Sequence, residues 1–167
     1  MKNLATTYPN KLFFMKSKIA QTIIAGLVAT GVMTAVGLMA PYMGLAKMNP
    51  AEMLANMMGI SIMLGYLMHF MIGIIFAGIY VYLFNAKVHI HSKLIKGLLY
   101  GFVVFIFAQI MLFIIGKIMP MPMSNDNMML LMLGSLISHL VFGVVVALIV
   151  PAHTIVNANN NFRNANA

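Results

Sequence analysis

ISIMLGYLMHFMIGIIFAGIYVYLF, Ile60 to Phe84, runs for 25 residues without a carboxylate, lysine or arginine. A helix needs about 20 apolar residues to cross the roughly 30 Å hydrocarbon layer of a bilayer, whereas a barrel strand needs about half as many and alternates. This stretch therefore predicts a membrane-spanning helix. Three further stretches have the same character: Ile19 to Ala40, Leu94 to Ile118 and Met128 to Val150. The chain as a whole is 62% hydrophobic and 7% charged, with a mean hydropathy of +0.98, which no water-soluble globular domain sustains. The predicted fold is all-α, a polytopic four-helix transmembrane bundle. Its expected organisation is a basic segment over 1–18, a membrane domain over 19–150 and an Asn-rich tail over 151–167. The tail, with NANNNFRNANA at its end, has no apolar periodicity and is expected to be disordered.

The ten basic residues set an orientation. Lys2, Lys11, Lys16 and Lys18 precede the first span, Lys87, Lys93 and Lys96 surround the turn between the second and third, and Arg163 lies in the tail; only Lys47 and Lys117 fall on the other side. The positive-inside rule then predicts two cytoplasmic termini, in the inner membrane of a bacterium. The first span has no small-x-small cleavage site behind it and reads as a retained helix. On this reading the net charge of +8 holds the spans in place and meets anionic lipid at the cytoplasmic face, and nucleic acid is not a partner. Cysteine is absent, which removes disulfides, thiolate metal sites and cysteine nucleophiles.

Sliding the chain against itself by 70 positions aligns nine identities between Gly31 and Ile79, among them Gly31/Gly101, Lys47/Lys117, His69/His139, Gly73/Gly143 and Ala77/Ala147. Roughly three to four would arise by chance in so narrow a composition. SLISHLVFGVVVA, Ser135 to Ala147, thereby repeats the pattern of GYLMHFMIGIIFA, Gly65 to Ala77: a small residue, a histidine, a glycine and an alanine at steps of four. Two tandem-duplicated hairpins, about 19–84 and 94–150, follow as an expectation, related by a pseudo-twofold axis along the membrane normal. Residues at steps of four share a helix face, and small-residue faces are how membrane helices pack. His69 and His139 are thus expected in the bundle core at similar depth.

Three readings of that pair compete. An ionisable residue within a span is a functional-site hypothesis by default. The sharpest reading is axial ligation of haem b by His69 and His139 in an electron-transfer module, with Gly65, Gly73 and Gly143 clearing room for the macrocycle and Lys47 and Lys117 pairing with propionates. The second is a metal: two imidazoles are too few for zinc, but copper(I) also accepts thioethers, and Met119, Met121 and Met123 in MPMPM would display spaced sulfurs. The third is structural, each imidazole bonding to the other, to Thr30 or Thr34, or to Gln109, so that the pair fixes helix register.

Weaker marks fill the remainder. NPAEM predicts a short helix with Asn49 as cap, Pro50 first and Glu52 third, laying Met53, Leu54, Met57 and Met58 on the outer leaflet. His89 and His91 read as a solvated turn. Glu52 and Asp126 are the only acidic residues, both outside the spans, so no carboxylate dyad, Ser/His/Asp set or phosphate-cradling loop exists and no catalytic residue is assigned. Small-solute transport ranks low, since the spans lack a carboxylate or arginine to line a pathway.

AGLVATGVMTAVGLMAPYMGLAKMNPAEML, Ala25 to Leu54, followed by GYLMHF and SLISHL with their glycines, resembles a bacterial family of small four-helix membrane proteins of unknown function. The resemblance covers about Ile19 to Val150. It implies a four-span fold and a recurring glycine and histidine layout, and transfers no catalytic residue. Beside the cofactor-binding module stands a non-catalytic accessory subunit of a larger, respiratory membrane complex, or a homo-oligomer.

Overall fold

The computed structural model describes residues 17–118 and 127–151. The basic residues before Ser17, the Met119, Met121 and Met123 run and the expected disordered tail lie outside the described residues. Those described form four helices long and apolar enough to cross a membrane, and the protein is a multi-pass, all-helical membrane protein.

Helix α1, Lys18–Met39, ends where Pro41 enters a 3₁₀ turn, Ala40–Met43, which Gly44 closes at φ 74°. A backbone bond from Met48 to the Gly37 carbonyl folds the following loop back over the end of α1. Helix α2, Pro50–Met58, starts as its sequence predicts: the Asn49 side chain accepts from the Glu52 N–H at 3.3 Å, and Gly59, at φ 63°, terminates it. Its placement differs from expectation. Ala51, Ala55 and Met57 are buried and Met58 is exposed, so α2 docks through its alanines rather than spreading its methionines on the membrane surface. The cause is Gly65, whose missing side chain admits the Ala51 carbonyl and the Ala55 methyl.

Helix α3, Ile62–Ile79, continues through a π turn, Tyr80–Phe84, into the short α4, Asn85–Lys87. Helix α5 covers Lys93–Ile118, and α6 covers Met128–Ile149 behind an Asn127 cap that accepts from the Met129 N–H at 2.9 Å. Helix α1 packs on α3 and on α6, and α6 packs on α5. Helices α1 and α6 are the more buried pair; α3 and α5 present broader outward faces.

Small residues close these seams. A Cβ on Gly26 would lie 2.6 Å from the Ile74 Cα, and one on Gly97 would lie 2.7 Å from the Val144 Cα. Gly73 faces the Thr30 side chain, while Gly143 faces the backbones of Gly97 and Gly101. Such approaches let dispersion act between helix backbones, the main attraction available where lipid is as apolar as the side chains. Gly31 behaves otherwise: a Cβ there would meet open space, so its sequence match with Gly101 is not a match in packing.

Between α3 and α5 the backbones stay apart and aromatic rings bridge them. Tyr80 and Tyr100 meet edge to face at 4.9 Å, Phe84 lies against Tyr100, Phe76 meets Phe107, and the Tyr100 hydroxyl donates to the Phe76 carbonyl. Both tyrosines are fully buried.

Candidate functional site

His69 belongs to the buried face of α3 with Gly65, Gly73 and Ala77, as the four-residue spacing predicts. Its ring is 7% exposed, and its Nε2 lies 3.1 Å from the Thr34 hydroxyl on α1. That hydroxyl donates its own proton to the Thr30 carbonyl at 2.7 Å. Thr34 therefore receives from His69, which places the proton of the neutral ring on Nε2 and leaves Nδ1 as the lone-pair nitrogen. On α6 the assignment reverses. His139 Nδ1 lies 2.7 Å from the Ser135 carbonyl, which can only accept, so Nδ1 carries the proton and Nε2 the lone pair. Gln109 on α5 donates to the Ser135 hydroxyl at 3.2 Å, and Phe105 sets its edge on the His139 ring at 6.0 Å. His69 takes its hydrogen bond across the α1–α3 seam, and His139 takes its own from within α6.

Thr34 and Gln109 were legible as partners because so few polar groups share these spans. Gln109 acts through Ser135 rather than on His139 itself. Thr30 is buried with no hydrogen-bond partner for its hydroxyl, which sits in the notch over Gly73.

Each glycine proposed as room for a macrocycle is met by a neighbouring element. Gly65 is filled by Ala51 and Ala55, Gly73 by Thr30, and Gly143 by Gly97 and Gly101. These notches lie between α3 and α2, between α3 and α1, and between α6 and α5. Lys47 forms an ion pair with Glu52 at 3.9 Å, both side chains well exposed, and Lys117 lies 5.4 Å from the centre of the Phe113 ring. Among the described residues no three His, Cys, Asp or Glu side chains gather as a metal site. His89 and His91 are exposed in the turn before α5. Chemically, the core offers two neutral imidazoles, each with one lone pair, and no carboxylate to relay a proton.

A second polar cluster escapes sequence reasoning. Lys96, read from sequence as a surface charge at the basic end, is 6% exposed, and its ammonium donates to the Asn85 carbonyl at 3.1 Å and to Asn85 Oδ1 at 2.8 Å. Asn85 Nδ2 donates in turn to the Pro151 carbonyl at 3.0 Å, and Lys93 donates to the carbonyls of Leu148 and Val150. Two lysines in the first turns of α5 thus satisfy carbonyls where the α3–α4 segment and α6 end, where helix dipoles favour cations. The signal was an asparagine at the end of a span, 11 residues before a lysine lying inside the next span.

Comparison with curated proteins and with solved structures returns no match. A family model does match, over residues 16–156, and so takes in all four spans and both histidines. The chain belongs to that family, DUF6789, a family of unknown function.

Proposed function

We propose that this protein is a non-catalytic accessory subunit of a larger membrane complex, in which His69 and His139 each support packing within one helical hairpin. The observation that carries this reading is the closure of the glycine seams: Gly65, Gly73 and Gly143 each meet a neighbouring element at a distance that leaves no room for a side chain. The His69 bond to Thr34 joins α3 to α1 and contributes well under about 2 kcal/mol while selecting one register, whereas His139 is held within α6 by the Ser135 carbonyl, and Ser135 in turn meets Gln109 on α5. The absence of a carboxylate from the spans fits a role without acid–base chemistry.

The pairing of Gly26 with Ile74 and of Gly97 with Val144 supports two copies of one ancestral hairpin, with the second helices offset by 70 and the first by 71. The lysine clusters at one end support cytoplasmic termini in a bacterial inner membrane, with anionic lipid at that face. Broad outward faces on α3 and α5 are where a larger subunit, or a second copy, would lie.

A second reading is ligation of haem b or copper(I) by His69 and His139. The His139 Nδ1–H on a backbone carbonyl leaves Nε2 free, as in a histidine oriented for a metal. His69 donates its Nε2–H to Thr34, which leaves Nδ1 as its lone pair.

Extraction of native membranes in a mild detergent tests the first reading. The chain, 18.3 kDa alone, is expected to migrate within a particle several times that mass, and a His69→Gln/His139→Gln variant to remain there. Migration as a single chain would count against an accessory role.

A further inference from the structure

We infer that the outer groove between α5 and α6 is a binding site for one acyl chain of an anionic phospholipid, whose headgroup lies at Lys93. The groove, about 220 Å³, is lined by Leu98, Ile137, Leu140, Val141, Val144 and Val145, all aliphatic. Leu98 forms its α5 side and the five α6 residues the other, beside the seam that Gly97, Gly101 and Gly143 close. Along α6 the lining from Val145 to Ile137 spans roughly 12 Å at 1.5 Å per residue, starting about 6 Å in from the last helical turn. That length and depth match the hydrocarbon of one leaflet, about 15 Å thick.

The mouth supplies the charge. Leu148 lies one turn beyond Val144 and Val145 on the same face, and its carbonyl holds the Lys93 ammonium at 3.3 Å. Lys87 and Lys96 stand at the same end, while Glu52 pairs with Lys47 at the other. Lys93, held by the Leu148 and Val150 carbonyls and by no carboxylate, keeps its full positive charge toward a phosphate there, while Lys96 is buried on Asn85. A second copy related by a twofold axis along the membrane normal would bring the same lysine mouth against itself, which disfavours that occupant.

The chain contains no tryptophan, so one can be placed as a reporter. Full-length Ile137→Trp protein, at the deep end of the groove, and Leu67→Trp, 56% exposed at matching depth on α3, would be placed in phosphatidylcholine vesicles. Acyl-brominated phosphatidylglycerol or acyl-brominated phosphatidylcholine is then added at equal low mole fraction and fluorescence quenching read. At Ile137→Trp the glycerol lipid is expected to be enriched about fivefold over its bulk share, the equivalent of one cationic contact near the surface. No enrichment is expected at Leu67→Trp. Adding Lys93→Gln should erase the preference between headgroups, and adding Val144→Phe should reduce quenching by both lipids. Equal quenching by the two lipids at Ile137→Trp, an equal preference at both reporter positions, or exclusion of both lipids by a second copy would each overturn the proposal.

Discussion

Gly143→Ala is expected to destabilise the bundle by about 3 kcal/mol, at the upper end of the usual cost of overpacking, whereas Gly31→Ala should change stability by less than about 1 kcal/mol. The chemical change is the same, one methyl group in the interior of a spanning helix. The difference lies in what the methyl meets. At Gly143 it would lie 2.6 Å from the Gly101 Cα and closer still to the Gly97 carbonyl and the Gly101 amide. All three are backbone atoms, which cannot rotate away as a side chain can, so α5 and α6 must separate and lose contact along the seam. At Gly31 the methyl points into open space, and alanine's smaller loss of backbone entropy works slightly in its favour. Reversible unfolding in mixed micelles measures both variants. Equal effects at the two positions would mean that the α5–α6 seam is not where the backbones meet.

A comparable loss, about 3 kcal/mol, is expected for Asn85→Leu. The substitution removes Oδ1 from a buried ammonium, which keeps only the Asn85 backbone carbonyl, and removes the side chain that anchors the segment to the Pro151 carbonyl. A buried charge that loses a partner is costly, while removing charge and partner together is often nearly neutral. The double variant Asn85→Leu/Lys96→Met should therefore lose less than the two single losses added together, by about 1–2 kcal/mol. Strict additivity in the same unfolding assay would show that Lys96 reaches water without Asn85.

The spans were legible because bilayer thickness fixes their length, and the observed helices begin and end within a few residues of the apolar runs. The α2 cap was legible because Asn49, Pro50 and Glu52 each have one role at a helix start. Which glycine meets which backbone was not. Aligning identities pairs Gly31 with Gly101, but packing pairs Gly26 with Gly97, and one residue of offset turns a helix face by about 100°. The burial of Lys96 was hidden for a related reason. A lysine near the end of a span reads as a topology signal until the carbonyls left open by a distant helix end are known to lie beside it. Likewise the four-residue spacing expected both histidines in the core, where His69 is buried and His139 only partly so, and could not say that Gly65 and Gly73 were already filled by α2 and α1.

The central claim is that the histidine pair holds helices and not a cofactor. Its most direct test is the absorption spectrum of the full chain, produced with ample haem and copper, purified in mild detergent and recorded oxidised and then dithionite-reduced, with metal analysis of the same sample. A spectrum without a Soret band, unchanged on reduction and without copper near one atom per chain, is the expected result. A Soret band with sharp reduced α and β bands, lost in both His69→Ala and His139→Ala, would contradict it.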